Sequence, residues 1–560
     1  MKLNLTFLLL LAFFVINLSI LTHYSYSWDD LIHRELGKNT VDFLTKGTPF
    51  PKETANGQQV AAYGSLSTTI GYLSETFFSQ NLNLLPKDAA FHLPILFFAV
   101  IGLFVLIEFT KRYIGKTESI LAFIFLITMP RFISHLHQNI KDIPSASLFT
   151  LSIYTFTNAV YKPKIINWLF ASVALGLAFA TKINAIQIPV IIISWLVLML
   201  VIKLVMNAKK QIINNYLYKI LYSFIFSILG FVISIILWPS IWQNPIGEIV
   251  SSFKFFQTQW VGGPVLYFGS LYKAGITIPW HYPLGILSVT TPLLTILFSL
   301  VGIYIIIKGV GYKIFAENSE TALASSEKRK VISPTNIFQK IFCTQAQIRA
   351  MKSESFENNI YLLLLLWFFI PLSKYFFTKI PVYDDTRQFM EILFPLSIFA
   401  AMGLIRIINL FRSIRLIRSI RSILLISFAL LTCYFLYPFF RLHPYEMVYF
   451  NSIVGGTKNV YEKSLFDVDF WGVSLKEGVN WINNNAKPNQ TVYSTFDVAH
   501  IVSAYLRPDL KLDYNNYQGA DYLVILNRKT FFYPHVMEFL KNKKSIFTVK
   551  KAQTPLSWVY

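Results

Sequence analysis

The stretch IINWLFASVALGLAFATKINAIQIPVIIISWLVLMLVIKLV, residues 165–205, decides the fold. A helix needs roughly 20 apolar residues to cross about 30 Å of hydrocarbon, and this run is about twice that long. It reads as two membrane spans folded at Thr181-Lys182-Ile183-Asn184. The whole chain agrees with it. Of 560 residues, 54% are hydrophobic and 16% aromatic, and the 14% that are charged are too few to solvate a globule of this size. A net charge of +21 could suggest nucleic acid as a partner, but much of the Lys and Arg falls in short runs between apolar spans, where basic loops set topology, and this argues against it. Cys343 lies in a polar loop and Cys433 in an apolar span, a separation that suggests neither a disulfide nor a thiolate metal site.

The chain is therefore expected to be an α-helical polytopic membrane protein. About eleven spans are predicted, at residues 3–21, 93–109, 120–133 and 146–161, in the two halves of 165–205, and at 220–238, 283–307, 361–377, 392–408 and 423–440. The first exceeds a signal-peptide core and lacks a small-x-small cleavage site, so it reads as an uncleaved helix. Lys111, Arg112 and Lys116, then Lys162 and Lys164, then Lys203, Lys209, Lys210 and Lys219, and finally Arg412, Arg415, Arg418 and Arg421 all fall on one side, which the positive-inside rule makes cytoplasmic. The charged, Ser-rich segment 308–359 is a cytoplasmic connector on the same reading. The amino terminus is then cytoplasmic, residues 24–92 form the first external loop, and residues 1–440 are one transmembrane domain. Residues 441–560 lie outside as a small α/β domain, with a helix near 473–484 and β-like runs at 491–496, 521–526 and 545–550.

This topology gathers Asp29, Asp30, Asn139, Lys141, Asp142, Lys182, His281, Asp384, Asp385, Arg387, His443 and Glu446 at the outer membrane face. Charge near a bilayer is expensive unless it is used or solvated. Acids paired with cations at one depth suit a reaction on a lipid-linked phosphate, in which cations hold the phosphate and a carboxylate takes a proton from an attacking hydroxyl. A flippase or transporter of lipid-linked sugars is the alternative. It would need polar residues along a path through the spans, and residues 97–106, 287–307 and 423–431 carry almost none. A scaffold acting through the outer domain would tolerate loss of Asp29 and Arg387.

The adjacent acids after the first span are followed by PRFISHLHQNIKDIP at 130–144, LAFATKINAIQIP at 177–189, WPSIWQNP at 238–245 and YDDTRQFMEILFP at 383–395. RLHPYEMVYFN at 441–451 and FDVDFWGVSLKEG at 466–478 complete an ordered series over residues 1 to about 480. This series resembles the polytopic GT-C glycosyltransferases, and within them family 39, which includes the protein O-mannosyltransferases and the aminoarabinose transferases. The resemblance implies transfer of a sugar, with inversion, from a polyprenyl-phosphate carrier to a lipid, glycan or protein acceptor. It also implies an outward-facing site in a bacterial inner membrane, with the C-terminal domain in the periplasm. The first-loop acid of the family maps to Asp29 as base, with Asp30 where the family usually has Glu, so the division of labour between the two is open.

The remaining residues each carry two readings. Asp142 either meets a divalent metal ion or the acceptor, or caps a helix before Pro144. Lys182 either neutralises the carrier phosphate, as its family position implies, or snorkels from a helix end. Arg387 is a bidentate phosphate ligand or a brace for Asp384 and Asp385. His281 and His443, with Glu446, either join an acceptor or metal site or are structural. Asp467 and Asp469 would share one face of a strand. Glu75 reads as an exposed loop residue and Glu108 as a helix end.

Overall fold

The computed structural model describes residues 5–51, 62–205, 208–323, 356–377, 379–413 and 420–560. Cys343, Arg415, Arg418 and residues 324–355 of the connector lie outside these. Every predicted span carries helix. Leu5–His23, Lys87–Tyr113, Ile183–Val205, Lys210–Ile236, Asn359–Phe376 and Asp385–Leu410 are long and apolar enough to cross a membrane. Lys116–Ile127 and Pro130–Gln138 form a pair bent by 65°. Ile165–Thr181, Leu293–Gly309 and Leu430–Leu442 are shorter apolar helices, and Asp142–Tyr161 is helical throughout.

The departures from straight spans have local causes. The 41-residue run breaks as expected: the Ile165–Thr181 helix ends at Lys182, whose backbone is extended, and a single 3-10 turn leads into Gln187–Val205. The expected span at 283–307 is broken between the Tyr282–Thr290 helix and the one beginning at Leu293, because Pro292 cannot donate a helical hydrogen bond. Asn451 fills the gap from 160 residues away. Its side-chain amide donates to the carbonyls of Ser288 and Thr291, both at 2.7 Å, and its N–H donates to that of Val289 at 2.8 Å. In hydrocarbon such carbonyls have no water to turn to. Close helix contact needs small residues, and Gly302 and Gly403 supply them reciprocally: a Cβ on either would lie about 2 Å from a backbone oxygen, that of Phe399 or Phe298.

The described part of the segment between the first two long helices is largely helical, with Asp30–Lys46 and Leu66–Glu75 packed together. Glu75 is not exposed. It is fully buried and takes both prongs of Arg34, at 2.5 and 2.6 Å. The loop between Trp238 and His281 holds the Pro245–Thr258 helix and a hairpin, β1 Pro264–Tyr267 with β2 Ser270–Lys273.

The C-terminal domain is α/β as predicted. Strands β3 Thr491–Tyr493, β4 Lys511–Asp513 and β5 Tyr522–Leu526 are parallel, and β7 Thr554–Val559 and β6 Phe547–Lys551 extend them antiparallel in the order β4-β3-β5-β7-β6. Its own core starts at Leu475 and joins Val479 and Ile482 to Val492, Ile501, Val524 and Val559. Residues from Leu442 to Val473 share the core of the helical bundle, as do Val549 of β6 and Leu556 of β7. Asp467 and Asp469 are not on a strand. Asp469 is buried and accepts from the N–H groups of Val473 and Ser474, and Asp467 accepts from Thr530.

Candidate active site

Several helices begin or finish around one cavity of about 120 Å³. Asp29 stands just before the Asp30–Lys46 helix, Asp142 begins one helix, Lys182 follows the end of another, and Arg387 lies in the first turns of the segment entering Leu393–Ser413. All four line the cavity, together with Asn139, Lys141 and Lys374. Four cations against two carboxylates make it a place for an anion.

The two first-loop acids part company. Asp29 faces the cavity and is ion-paired with Arg387. Burial raises its carboxyl, but Arg387, with His33 and Lys141 behind it, outweighs this and holds it at about 2. Asp30, expected as a second catalytic acid, does not line the cavity. It is buried and accepts from the N–H and hydroxyl of Ser27, at 2.6 and 2.8 Å, and meets His92 Nε2 at 3.0 Å. Its bonds hold the turn that presents Asp29.

Asp142 is the centre of a second cluster. Lys182 Nζ donates to it at 2.7 Å and to the carbonyl of Arg387 at 3.1 Å. Asp142 is not the helix cap. That position's work falls to Asn139, whose Oδ1 accepts from the N–H groups of Lys141 and Asp142, both at 2.9 Å, while its amide donates to Asp142 Oδ2 at 2.6 Å. Lys141 is different from the other cations. Its ammonium sits 3.9 Å from the centre of the Tyr63 ring, and burial, reinforced by Lys182, brings it down to about 7 against the pull of Asp142 and Asp29.

Asp384 and Asp385 lie beside the cavity rather than in it. Asp385 pairs with buried Arg131 at 2.7 Å, and Asp384 accepts from Arg528 at 2.8 Å. His281 and His443 have no partner in common. His281 Nδ1 meets the Tyr267 hydroxyl at 2.9 Å, whereas His443 joins His23, Glu446 and Tyr24 in a separate cluster, with His23 at 2.7 Å and Glu446 at 3.0 Å. Among the described residues no three His, Cys, Asp or Glu side chains converge as a metal site requires.

Sequence reasoning missed His33, Tyr63, Gln259, Lys374 and Tyr375, which also line the cavity. Lys374 had a signal, a cation inside an apolar helix, which by itself points to function. Tyr63 and Gln259 had none. They meet through a 2.6 Å hydrogen bond between loops 196 residues apart.

Residues 85–240 match the family described as dolichyl-phosphate-mannose-protein mannosyltransferase, a segment that includes Asp142 and Lys182. No curated protein sequence matches the chain. Among solved structures it is similar to ArnT from Cupriavidus metallidurans bound to undecaprenyl phosphate, at 13% identity, with 99% of this chain and 97% of that chain covered and a TM-score of 0.50. It also aligns with the archaeal oligosaccharyltransferase AglB from Archaeoglobus fulgidus, in complex with an inhibitory peptide and a dolichol-phosphate, at 12% identity over 92% of this chain and 69% of that one, TM-score 0.45. The likeness to ArnT shows that the fold is the GT-C membrane fold that the motif series predicted.

Proposed function

We propose that the protein is an inverting glycosyltransferase that moves a sugar from a polyprenyl-phosphate carrier to an acceptor hydroxyl. The observation that carries this reading is the pairing of Asp29 with Arg387 inside a cation-rich cavity. The family match over residues 85–240 and the ArnT fold, solved with undecaprenyl phosphate bound, support the donor class. The positive-inside pattern supports an outward-facing site, and the family resemblance supports a bacterial inner membrane as its setting.

In the resting site Asp29 is a poor base, because Arg387 holds its carboxyl at about 2. A donor phosphate competes for the same guanidinium, and Lys182 and Lys141 face it from the neighbouring helix ends. As Arg387 turns to the phosphate, the Asp29 carboxyl loses its main stabiliser and its proton affinity rises. Asp29 then takes the proton of the acceptor hydroxyl as that oxygen attacks the anomeric carbon from the opposite face. The bond from that carbon to the phosphate oxygen breaks, and polyprenyl phosphate leaves with the electron pair, its charge met by the cations. The base is thus armed by donor binding.

In the resting site the residues present offer no ready-made divalent-ion site. Asp142 and Asp29 are each engaged by a cation, and no third metal ligand joins them among the described residues.

The test is release of polyprenyl phosphate from polyprenyl-phosphate sugars by the purified protein, with a cell-envelope extract as acceptor source. Release by wild type and not by Asp29→Asn is the expected result. A folded protein that releases nothing from any donor overturns the reading in favour of transport.

A further inference from the structure

The catalytic assignment above uses residues of the helical bundle alone, yet one buried cation from the C-terminal domain reaches into the same network. Arg528 follows β5 and is 3% exposed. One guanidinium nitrogen donates to the carbonyl of Phe470 at 2.6 Å and another to Asp384 Oδ1 at 2.8 Å. The other carboxylate oxygen of Asp384 lies 4.0 Å from Arg387, which pairs with Asp29. The guanidinium of Arg528 also lies over two neighbouring rings, 4.9 Å from that of Trp28 and 4.3 Å from that of Phe531. Trp28 immediately precedes Asp29. Arg528 therefore bears on both members of the Asp29–Arg387 pair, one through Asp384 and the other through Trp28.

The backbone explains why such a clamp is needed. Asp384 and Asp385 are consecutive, neither is glycine, and both have left-handed backbones, with φ of 51° and 68°. Residues in that region persist only where their surroundings hold them there. Arg131 holds Asp385 from the helical bundle and Arg528 holds Asp384 from the C-terminal domain. Two residues on, this strained turn delivers Arg387 to the cavity. The loop carrying Asp29 is secured to the same region, since the Trp28 N–H donates to the carbonyl of Trp471 at 3.0 Å and the Trp28 carbonyl meets His500 Nε2 at 2.9 Å.

We propose that Arg528 is a positioning residue for the Asp29–Arg387 pair, so that the C-terminal domain completes the active site. This rests on the glycosyltransferase reading for its consequence in catalysis, but not for its geometry. Arg528 touches no reacting atom. It keeps Asp384 in its strained conformation, and Asp384 in turn keeps Arg387 aimed at the position of the donor phosphate.

The experiment uses the full chain in detergent, with Arg528→Ala, Arg528→Lys, Asp384→Asn, Asp29→Asn and the corresponding double variants. Two quantities are read: kcat/KM for the polyprenyl-phosphate sugar in the folded, monodisperse fraction, and the midpoint of thermal unfolding. A displacement of Arg387 by about 1 Å is expected to cost about 100-fold in kcat/KM. Arg528→Lys is expected to recover part of that, and Arg528→Ala combined with Asp384→Asn to be no worse than Arg528→Ala alone. The unfolding shifts of Arg528→Ala and Asp29→Asn, residues that do not touch, are expected to be non-additive. An Arg528→Ala protein that is less stable but as active as wild type would make Arg528 a mere domain fastener and overturn the proposal, as would strictly additive unfolding shifts. Should wild type transfer no sugar, the glycosyltransferase reading falls, and the additivity of the two shifts still decides the positioning role by itself.

Discussion

Lys182 and Asp142 join the end of one helix to the start of another through a 2.7 Å ion pair, and the same ammonium donates to the carbonyl of Arg387. One cation thus ties three elements of the cavity wall together. The pair is largely buried, with Asp142 at 6% and Lys182 at 18% side-chain exposure. Breaking a buried pair from one side leaves the other charge uncompensated. Lys182→Met is expected to cost about 3 kcal/mol of stability, and Lys182→Met with Asp142→Asn to recover much of it while leaving transfer abolished. Thermal unfolding and a transfer assay on the same three proteins check this.

The pH behaviour of Asp29 follows from its depressed carboxyl. Its pair with Arg387 contributes stability that is complete above the ordinary carboxylate range and is lost as pH falls through about 2. Wild type is therefore expected to lose stability relative to Asp29→Asn between about pH 4 and pH 2. In catalysis, the acid limb of kcat, which reports the donor complex, is expected to lie at higher pH than the acid limb of kcat/KM, which reports the free enzyme. Coincident limbs would mean that donor binding does not release Asp29 from Arg387.

Lys141 has the opposite sign. Burial brings its ammonium down to about 7, so the folded state disfavours the charge. That cost is absent above the ordinary lysine range and complete below about pH 7. Lys141→Met is expected to raise the unfolding midpoint, most at pH 6 and least near pH 10, and to lower affinity for the donor phosphate. A midpoint gain independent of pH would assign the effect to packing against Tyr63 instead of to charge.

Asn451 should be tested as the patch on a broken span. Asn451→Leu removes the donor for the carbonyls of Ser288 and Thr291, and a buried acceptor left unpaired costs about 1–3 kcal/mol. The expected outcome is a lower unfolding midpoint with an unchanged KM for the donor in the folded fraction.

Metal dependence gives a further check. Since Asp142 keeps its pair with Lys182 in the proposed reaction and Asp29 is used as the base, transfer is expected to persist after dialysis against EDTA. Loss of activity that returns with a divalent salt would require Asp142 to leave Lys182, or Asp29 to hold a metal once Arg387 has turned to the donor.

The sequence by itself determined the membrane class, the positions of the apolar helices, the existence of the α/β domain and the end of the bundle at which Asp29, Asp142, Lys182 and Arg387 meet. These are local properties. The cost of burying charge in hydrocarbon and the length of a helix that crosses it can be read from some 20 consecutive residues. Even the break at Lys182 was legible, because a charged turn must leave the apolar layer. Only the tertiary structure decided which acid serves the cavity. Asp29 and Asp30 are neighbours in a polar turn, and what separates them is Arg387, 358 residues onward, on one side and His92 with Ser27 on the other. Glu75 was misread for the same reason, since its burial depends on Arg34 from a different helix. Arg528 left no trace in the sequence at all. Ion pairs between distant segments obey no periodicity, and their partners become visible only when packing has brought the segments together.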